Sequence, residues 1–512
     1  EIRFCDWSSD VCSSDLRRKL PPDLLKEIEP GFAEMGRLAG GELYDLQLRD
    51  RLNEPQLLQW DAWGNRVDRI AVTPLWQVVA PIAVRRGLIG IPYERRHGRF
   101  SRIQQFALVY LFHPSSDLYT CPLAMTDGAA RTLTLSGNTG LIERAVSRLT
   151  SRDPSQAWTS VQWMTEITGG SDVGTTLTRA ERDPDGQWRL YGKKWFTSAI
   201  TSQMALTLAR PVGNGPGGAG LAMFHVETHD AAGNLNHLRI ERLKDKLGTR
   251  KVPTAELSLE GTRAELVGDT RNGTRNIEPM LVVTRAWNSV TSVAFMRRAV
   301  ALARSYATQR RAFGAALSDL PLHVDTLAGL EAETRAAFLL AFELVELLGG
   351  QEAGAIDDSQ RALLRLLTPI AKALTAKQAV AVVSEAIEAF GGAGYIEDTG
   401  LPALLRDAQV LPIWEGTTNV LALDALLRGD LAAGLTALAR RMDACNAGVK
   451  DQRLATLGQA VAQAVAHVRQ WLTANGEAAQ LQAGARRVAM TLGRALQLAL
   501  LIEHAQIGRA HV

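Results

Sequence analysis

The sequence has few of the features that mark metal-binding, secreted or membrane proteins. Its four cysteines follow no CxxC or Cys/His metal spacing, so we expect no metal site; they are Cys5, Cys12, Cys121 and Cys445. Such sparse cysteine usage is typical of the reducing cytoplasm, where we place the protein. No apolar run reaches the roughly 18 residues of a transmembrane helix, so we expect no membrane insertion. A net charge of +3 is small for 512 residues and indicates no overall attraction to nucleic acid.

Hydrophobic periodicity divides the chain into helical and β-rich parts. Most of it has apolar residues at helical spacing, whereas a central stretch is rich in Thr, Val, Gly and turn signals. We therefore predict a mainly α, α+β protein with an N-terminal helical domain, a small central β domain, a C-terminal four-helix bundle and a helical C-terminal extension. In that order, the predicted domains are residues 17–159, 160–268, 269–428 and 429–505. Residues 1–16 and 506–512 resemble translated sequencing-adapter read-through, and we expect both to be foreign to the protein.

Two motifs of the predicted β domain carry groups that suit a cofactor. The first is MTE at residues 164–166 followed by GGSD at 169–172, where hydroxyls and glycine-freed N–H groups suit a planar cofactor or a phosphate. The second is KKWFTS at residues 193–198, in which Trp195 offers a stacking face and Thr197 is predicted to lie on the same side of a strand. On its own, the first motif is better explained by a glycine-rich loop. An ordinary half-buried strand explains the second equally well. The turn signal DPDG at residues 183–186 predicts a hairpin between them.

The helical part opens with a long amphipathic run, Ile277–Phe313, that contains Arg285 and Arg310. These arginines lie about 25 residues apart, and at roughly 1.5 Å per residue that is about 37 Å on a straight helix. They therefore cannot grip the same end of one small ligand, and any anions they bind belong to different ligands or to sites of two subunits. The alternative for either arginine is a solvated helix face. A later run, Asp358–Phe390, contains Pro369, which predicts either a kink or the start of a new helix.

The stretch from Gly391 to Asn419 combines glycines with one carboxylate. Gly391 and Gly392 close a helix and let the backbone approach a ligand with no Cβ in the way. Glu415, between Trp414 and a glycine, is a candidate general base, because an aromatic neighbour shields a carboxylate from water. The alternative for this stretch alone is a helix C-cap followed by a first-turn glutamate of the next helix.

Together, these motifs in this order resemble the acyl-CoA dehydrogenase family of flavoproteins. The resemblance covers about residues 17–428 and rests jointly on TEITGGSDV, KWFTS, LTPIAK and IWEGTTNV. These motifs and the helical extension are most similar to the AidB-like (adaptive alkylation-response) branch. The resemblance implies an FAD-dependent enzyme that performs α,β-dehydrogenation of an acyl-CoA thioester, with the β-hydride passing to flavin N5.

The resemblance implies a role for each residue that matches a family motif. Glu415 matches the catalytic base; some members carry the base before the CoA-side arginine, but here that residue is Thr284. Substrate contacts are implied for Ser171, Arg285 (near the CoA moiety) and Gly416. FAD contacts are implied for Met164, Thr165, Ser171, Trp195, Phe196, Thr197, Arg310, Phe313, Gly391, Gly392, Thr417 and Asn419. Arg310 and the glycine pair match positions that reach the FAD of a neighbouring subunit.

The resemblance also implies partners. Cross-subunit FAD contacts need at least a dimer, and we expect a homo-oligomer, either a dimer or a dimer of dimers (a homotetramer), with an electron-transfer flavoprotein as a possible electron acceptor. A short or branched acyl-CoA would place the enzyme in fatty-acid or branched-chain amino-acid catabolism. The family pattern is broken at Pro321 and Glu388, where glutamines are common, so we expect the cross-subunit contact at Pro321 to be absent.

The alternative function comes from the AidB-like branch, in which dehydrogenase activity is weak and DNA binding is associated with the C-terminal part. It predicts an alkylation-response flavoprotein that binds or protects DNA. The support in this sequence is local basicity after residue 428, from Arg440, Arg441, Arg486, Arg487 and Arg494. A solvated helix surface explains these arginines better than a nucleic-acid footprint.

Overall fold

A computed structural model describes the backbone of residues 11–510 and the side chains of residues 15–506. Most side chains of the two terminal segments that we expect to be foreign lie outside the described residues, and that expectation stays a prediction. Helices dominate, a β region lies at the centre of the sequence and helices follow it, so the predicted mainly α, α+β class is confirmed.

The chain forms two compact units that each combine separate stretches of sequence. The β unit consists of Leu43–Glu94 and Ser115–Thr284. The helical unit consists of the described residues up to Glu42, of Arg95–Pro114, and of everything from Arg285 onward.

The β unit is built around a seven-stranded sheet. Five strands pair in a closed ring, in the order Met204–Pro211, Arg179–Arg182, Trp188–Thr197, Ala255–Val267 and Ala222–Glu227. Two further strands extend it, Ser160–Trp163 beside Met204–Pro211 and Leu238–Leu243 beside Ala255–Val267. Closure of the ring gives each of its five strands a paired neighbour on both sides.

The predicted hairpin is confirmed at the DPDG turn. Arg182 pairs with Trp188 across the antiparallel ladder, and Gly186 has a φ of 78°, which an L side chain rarely adopts. A second hairpin was not predicted: Gln56–Trp60 pairs with Arg66–Ala71 inside the part expected to be helical. The helices of the β unit are Glu42–Arg49, Pro74–Arg85, Gly90–Glu94, Thr120–Ser136, Thr139–Leu141, Ser147–Leu149 and Gly273–Asn276.

The helical unit holds the long helices predicted from apolar periodicity. They are Val11–Lys19, Pro22–Gly40, Ser101–Phe112, Glu278–Gln309 (which begins in the β unit), Pro321–Glu352, Asp358–Ala389, Leu401–Ala408, Thr418–Leu427, Leu431–Asn446, Gln452–Ala474 and Ala478–Ala510. A two-stranded turn, Arg311–Ala312 with Ala315–Ala316, follows the first of the bundle helices. Pro369 lies inside a single helix, so the alternative that it starts a new helix is wrong.

The C-terminal extension packs on the Asp358–Ala389 helix. A Cβ at Gly493 would meet Leu374 and Ile370 at 2.8 and 2.9 Å, so glycine permits the close approach of the two helices. Gln378 and Gln497 exchange amide hydrogen bonds across the same interface. Over the described part of the chain, Asp358–Ala389 alone has the length and composition of a membrane span, with a mean hydropathy of 1.3, and 83% of that window is buried inside the protein.

Candidate active site

Glu415 lies in the loop that precedes the Thr418–Leu427 helix, so the alternative of a first-turn glutamate is wrong. Its backbone is left-handed, with a φ of 57°, which is uncommon for a residue with a side chain. The next residue, Gly416, has a φ of 104°, and a Cβ there would lie 3.1 Å from Leu421. The side chain of Glu415 is half-buried. The candidate base therefore sits on a constrained, irregular turn.

Two buried cations hold this turn by three consecutive carbonyls. Lys372, on the Asp358–Ala389 helix, is completely buried. Its Nζ donates to the carbonyl oxygens of Trp414, at 2.5 Å, and Gly416, at 2.7 Å. Arg285 Nε donates to the carbonyl oxygen between them, that of Glu415, at 3.2 Å. Every carbonyl from 414 to 416 thus accepts from a cationic side chain.

Asp424 balances part of this positive charge. Its carboxylate lies 2.7 Å from Arg285 Nη1 and 2.7 Å from Arg365 Nη2. Burial favours the neutral acid, but the two guanidinium groups outweigh it and hold the pKa of Asp424 below its ordinary value. Burial lowers the pKa of Lys372 to about 7, with Arg285 adding to the shift and the Glu415 carboxylate opposing it.

The two arginines of the long helix have different surroundings. The Arg285 side chain is only 11% exposed and faces Asp424 and the Glu415 backbone, so the solvated-face alternative is wrong for it. Its predicted contact with the CoA moiety stays a prediction. Thr284, the residue before Arg285, is buried and has no carboxylate that could act as a base. Arg310 directly follows the end of the same helix, Glu278–Gln309, and is exposed. This agrees with the inference that the two arginines belong to different binding sites.

The end of that helix lies beside the glycine pair. Phe390 stacks on Tyr306 with ring centroids 4.3 Å apart, one turn before Arg310. Gly391 has a φ of 58°, and nothing lies within 4 Å of a Cβ built on it or on Gly392. Phe313, at the tip of the two-stranded turn, is 96% exposed with a φ of 53°. Open glycine backbone and an exposed arginine suit a phosphate-bearing ligand, as predicted for these positions.

The remaining predicted contacts of the helical unit lie just after Glu415. Thr417 is the N-cap position of the Thr418–Leu427 helix. Asn419 is exposed, and its Oδ1 lies 3.4 Å from Nη1 of Arg486 in the C-terminal extension. An arginine of the extension thus lies beside a predicted FAD contact.

The first motif of the β unit is tied down by a buried ion pair. Lys194 Nζ lies 2.7 Å from Glu166 Oε1 and donates to Leu208 O at 2.9 Å. Glu166 also accepts from the N–H of Leu177 and from both the N–H and the hydroxyl of Thr178. These bonds join the two ends of the loop that carries the predicted contacts Met164, Thr165 and Ser171. Ser171 is exposed, and the other two are half-buried.

The second motif is arranged differently from the prediction. The register shifts between Lys194, which lies opposite Leu257, and Thr197, which lies opposite Ala255. This β-bulge puts Thr197 on the face of Lys194, so its predicted placement on the same side as Trp195 is wrong. The Thr197 hydroxyl is buried and donates to the Ala255 carbonyl. The predicted FAD contact of Thr197 is therefore left to its backbone, and it stays a prediction.

Trp195 is held by charged neighbours. Its Nε1 donates to Glu256 Oε1 at 3.1 Å, and Lys244 Nζ lies 3.7 Å from the ring centroid on one face. Phe196, 45% exposed, packs edge-on against the same indole. Hydrogen bonds from Arg242 and Lys244 lower the pKa of Glu256 to about 2, so this acceptor is charged near neutral pH. The indole orientation is thus fixed.

The chemical types of these residues suit the binding of FAD. The β unit offers a fixed aromatic face and loop hydroxyls, and the helical unit offers open glycines and an exposed arginine. A metal-binding group of three or more His, Cys, Asp or Glu side chains is not found among the residues that the structure describes.

Sequence reasoning missed the residues that support the site: Lys372, Asp424, Glu166, Lys194, Lys244 and Glu256. A signal existed for two of them. Lys372 and Asp424 each interrupt an apolar stripe, in LLTPIAKAL and NVLALDALL, and a charge in such a stripe is buried only with partners. Their partners lie far away in the sequence.

Family models match most of the chain. They are described as the adaptive response protein AidB N-terminal domain (residues 16–154), the acyl-CoA dehydrogenase middle domain (162–262), the acyl-CoA dehydrogenase C-terminal domain (271–428) and the acyl-CoA dehydrogenase 11 C-terminal domain-like region (435–511).

Whole-chain comparisons agree with these matches. Acyl-CoA dehydrogenase family member 11 of Caenorhabditis elegans is 45% identical over 512 residues, which cover 97% of this chain and 83% of that one. AidB of Escherichia coli (strain K12) is 35% identical over 407 residues, 77% of this chain and 70% of that one. The crystal structure of Caenorhabditis elegans ACDH-11 in complex with C11-CoA has a TM-score of 0.94 and 44% identity, and the match covers 98% of this chain and 87% of that one. The chain therefore belongs to the acyl-CoA dehydrogenase family, FAD-dependent oxidoreductases that act on the CH–CH group of acyl-CoA, and it carries an N-terminal domain of the AidB type.

Proposed function

We propose that this protein catalyses α,β-dehydrogenation of an acyl-CoA thioester with Glu415 as the base. The observation that carries the proposal is the constrained turn itself. A half-buried carboxylate stands on a left-handed residue whose own carbonyl is held by Arg285 and whose two flanking carbonyls are held by Lys372. Such fixed placement is what proton abstraction from carbon requires of a base.

In the proposed reaction, a Glu415 carboxylate oxygen takes the α-proton, and the electron pair of that C–H bond forms the new Cα–Cβ double bond. FAD, when bound, would supply the oxidant that takes up the β-hydride at N5. Glu415 leaves the step protonated and must release its proton before the next turnover. The missing Cβ at Gly416 lets the turn pack closely on Leu421, because a Cβ there would lie 3.1 Å from that side chain.

FAD would be held in the β unit by the loop hydroxyls of Thr165 and Ser171 and by the Trp195 face. In the helical unit it would be held by Gly391, Gly392 and Arg310, and by Phe313, Thr417 and Asn419. The exposure of Arg310 supports the expectation that it reaches the FAD of a neighbouring subunit. We propose a homotetramer with an electron-transfer flavoprotein as acceptor, in the cytoplasm; sedimentation of the FAD-loaded protein tests the assembly.

The length and branching of the substrate's acyl chain are to be determined by experiment. The sequence predicts a short or branched chain, whereas the solved Caenorhabditis elegans relative holds C11-CoA. Anaerobic titration with isovaleryl-, butyryl-, octanoyl- and undecanoyl-CoA, followed by flavin absorbance, separates these expectations. We expect one thioester to bleach the flavin rapidly. In Glu415→Gln, the flavin should stay bound and unbleached. Bound flavin that none of the four reduces would contradict the proposal.

DNA binding is not our proposal for the main role. Arg441, one of the five arginines behind that alternative, pairs with Glu343 and Glu503, and Arg494 pairs with Glu333. These internal ion pairs weaken the basic field on which a DNA footprint depends. If the purified protein retained DNA with a steep dependence on salt concentration, DNA binding would replace dehydrogenation as the proposed main role.

A further inference from the structure

Lys372 is completely buried, although lysine is among the side chains that proteins bury least. Its ammonium group faces the two carbonyl oxygens, of Trp414 and Gly416, that flank the candidate base. A lysine kept only to fill the core would be replaced at less cost by leucine or methionine. The burial of Lys372 is therefore explained by its contacts with the turn and not by core packing.

Peptide geometry gives that reason. The described peptide bonds are all trans, so the N–H of each peptide points away from its C=O. Because the Trp414 oxygen faces Lys372, the Glu415 N–H on the same peptide is directed away from the ammonium. In the same way, the Arg285 contact with the Glu415 oxygen directs the Gly416 N–H away from the guanidinium. Buried cations on the carbonyl side of two successive peptides thus orient the N–H groups on the opposite side.

A cation on the oxygen of a peptide also polarises the whole unit. Hydrogen bonds to a charged partner are stronger than neutral ones, and bonds in a chain strengthen one another. When Lys372 is protonated, the N–H of the peptide whose oxygen it contacts is therefore a better donor than an ordinary amide. When a base removes the α-proton of a thioester, negative charge moves to the thioester oxygen, where such donors stabilise it most.

We infer that Lys372 is a positioning residue of the dehydrogenation, which orients and polarises the Trp414–Glu415 peptide so that the Glu415 N–H donates to the thioester oxygen. The inference rests on the proposed function. Lys372 touches neither substrate nor proton; it acts through the backbone of the base. The same contacts hold Glu415 in its left-handed conformation.

The test uses the full-length, FAD-loaded protein and acetyl-CoA, which has α-protons but no β-hydrogen and so separates the base step from oxidation. Deuterium uptake at the α-carbon in D2O is followed by mass spectrometry. The infrared band of a 13C-labelled thioester carbonyl reports its polarisation in the bound state. Lys372→Met is compared with Lys377→Met, an exposed lysine on the same helix.

We expect Lys372→Met to slow exchange by about 100-fold, the size of effect seen when one oxyanion donor is lost, and to move the carbonyl band toward that of the free thioester. Lys377→Met should match the unaltered protein in both measurements. Lys372→Gln, which keeps a donor but not the charge, should lie between them. If Lys372→Met does not fold, Lys372→Gln decides by the same two readouts.

An unchanged carbonyl band in the folded Lys372 variant overturns the inference, whether or not exchange is slower. A different result marks failure of the proposed function. If the unaltered protein exchanges no faster than Glu415→Gln, then Glu415 is not the base, and the role of Lys372 falls with it.

Discussion

Replacing Lys194 by methionine would remove the cation that faces Glu166 inside the β unit. The Lys194 side chain is fully buried, and that of Glu166 is 3% exposed. Their contact of 2.7 Å is one of four bonds that Glu166 Oε1 and Oε2 make. Methionine fills the same volume without the charge, so the change isolates the loss of the cation.

The expected cost follows from what is left behind. Removing one partner of a buried ion pair typically costs about 3–5 kcal/mol, because the other charge stays buried without compensation. Glu166 would keep its bonds from Leu177 N and from the N–H and hydroxyl of Thr178, which stabilise the carboxylate in part. We therefore expect the free energy of unfolding to fall by about 3 kcal/mol, the lower end of that range.

A second change tests the cause. In Lys194→Met with Glu166→Gln, the buried charge is gone, and the glutamine can still accept from Leu177 and donate to the Thr178 hydroxyl. We expect this double variant to regain about 1–2 kcal/mol relative to Lys194→Met. Urea unfolding measures the free energies, and flavin fluorescence measures FAD affinity, which should fall as the loop carrying Thr165 loosens. Lys193→Met, an exposed neighbour, is the control.

Two results would refute this reasoning. A loss below about 1 kcal/mol in Lys194→Met would mean that the buried carboxylate does not need its cation. A double variant less stable than the single one would mean that the hydrogen bonds of Glu166, and not its charge, dominate.

Two further predictions concern pH and cofactor affinity. Burial, with a contribution from Arg298, lowers the pKa of His113 to about 3; below about pH 6.5 the unfolded chain binds a proton that the folded chain does not, so stability falls with acidification, by about 2 kcal/mol at pH 5. His113→Phe, which can still stack on Phe295, should remove that part of the loss in urea unfolding at pH 7 and 5, and an unchanged pH dependence would contradict the assignment. Glu256→Gln should weaken FAD binding about tenfold in fluorescence titration, because Trp195 keeps only a neutral acceptor; equal affinity would show that Glu256 does not set the indole orientation.

Local chemistry explains which parts of the fold were predictable. The DPDG turn specifies its hairpin with residues that favour the required dihedral angles, and the long apolar periodicities specify the bundle helices. The bulge before Thr197 has no comparable signal in KWFTS, because it depends on pairing with the distant strand Ala255–Val267. The hairpin at Gln56–Trp60 was missed for a different reason: this five-residue strand lacks an alternation of apolar and polar residues, since Leu57 and Leu58 are adjacent.

The candidate site divides in the same way. Glu415 and the glycines stand out because their residue types are unusual where they occur. The residues that hold the Glu415 turn stand out less, since Lys372, Arg285 and Asp424 come from three separate helices that only the tertiary fold brings together. Sequence reasoning thus found the groups proposed to face the ligand, Arg285 among them, and missed Lys372 and Asp424.

The packing of the C-terminal extension has a consequence for how the protein is made. Asp358–Ala389 is apolar enough to pass for a membrane span, and part of its cover, around Gly493, belongs to a helix that begins about ninety residues later. At about 5–20 residues per second, a ribosome needs on the order of 5–20 s to deliver that cover. During that interval, the face of this helix around Ile370 and Leu374 lacks its final cover in the nascent chain and is open to chaperones and to the targeting machinery that selects membrane proteins.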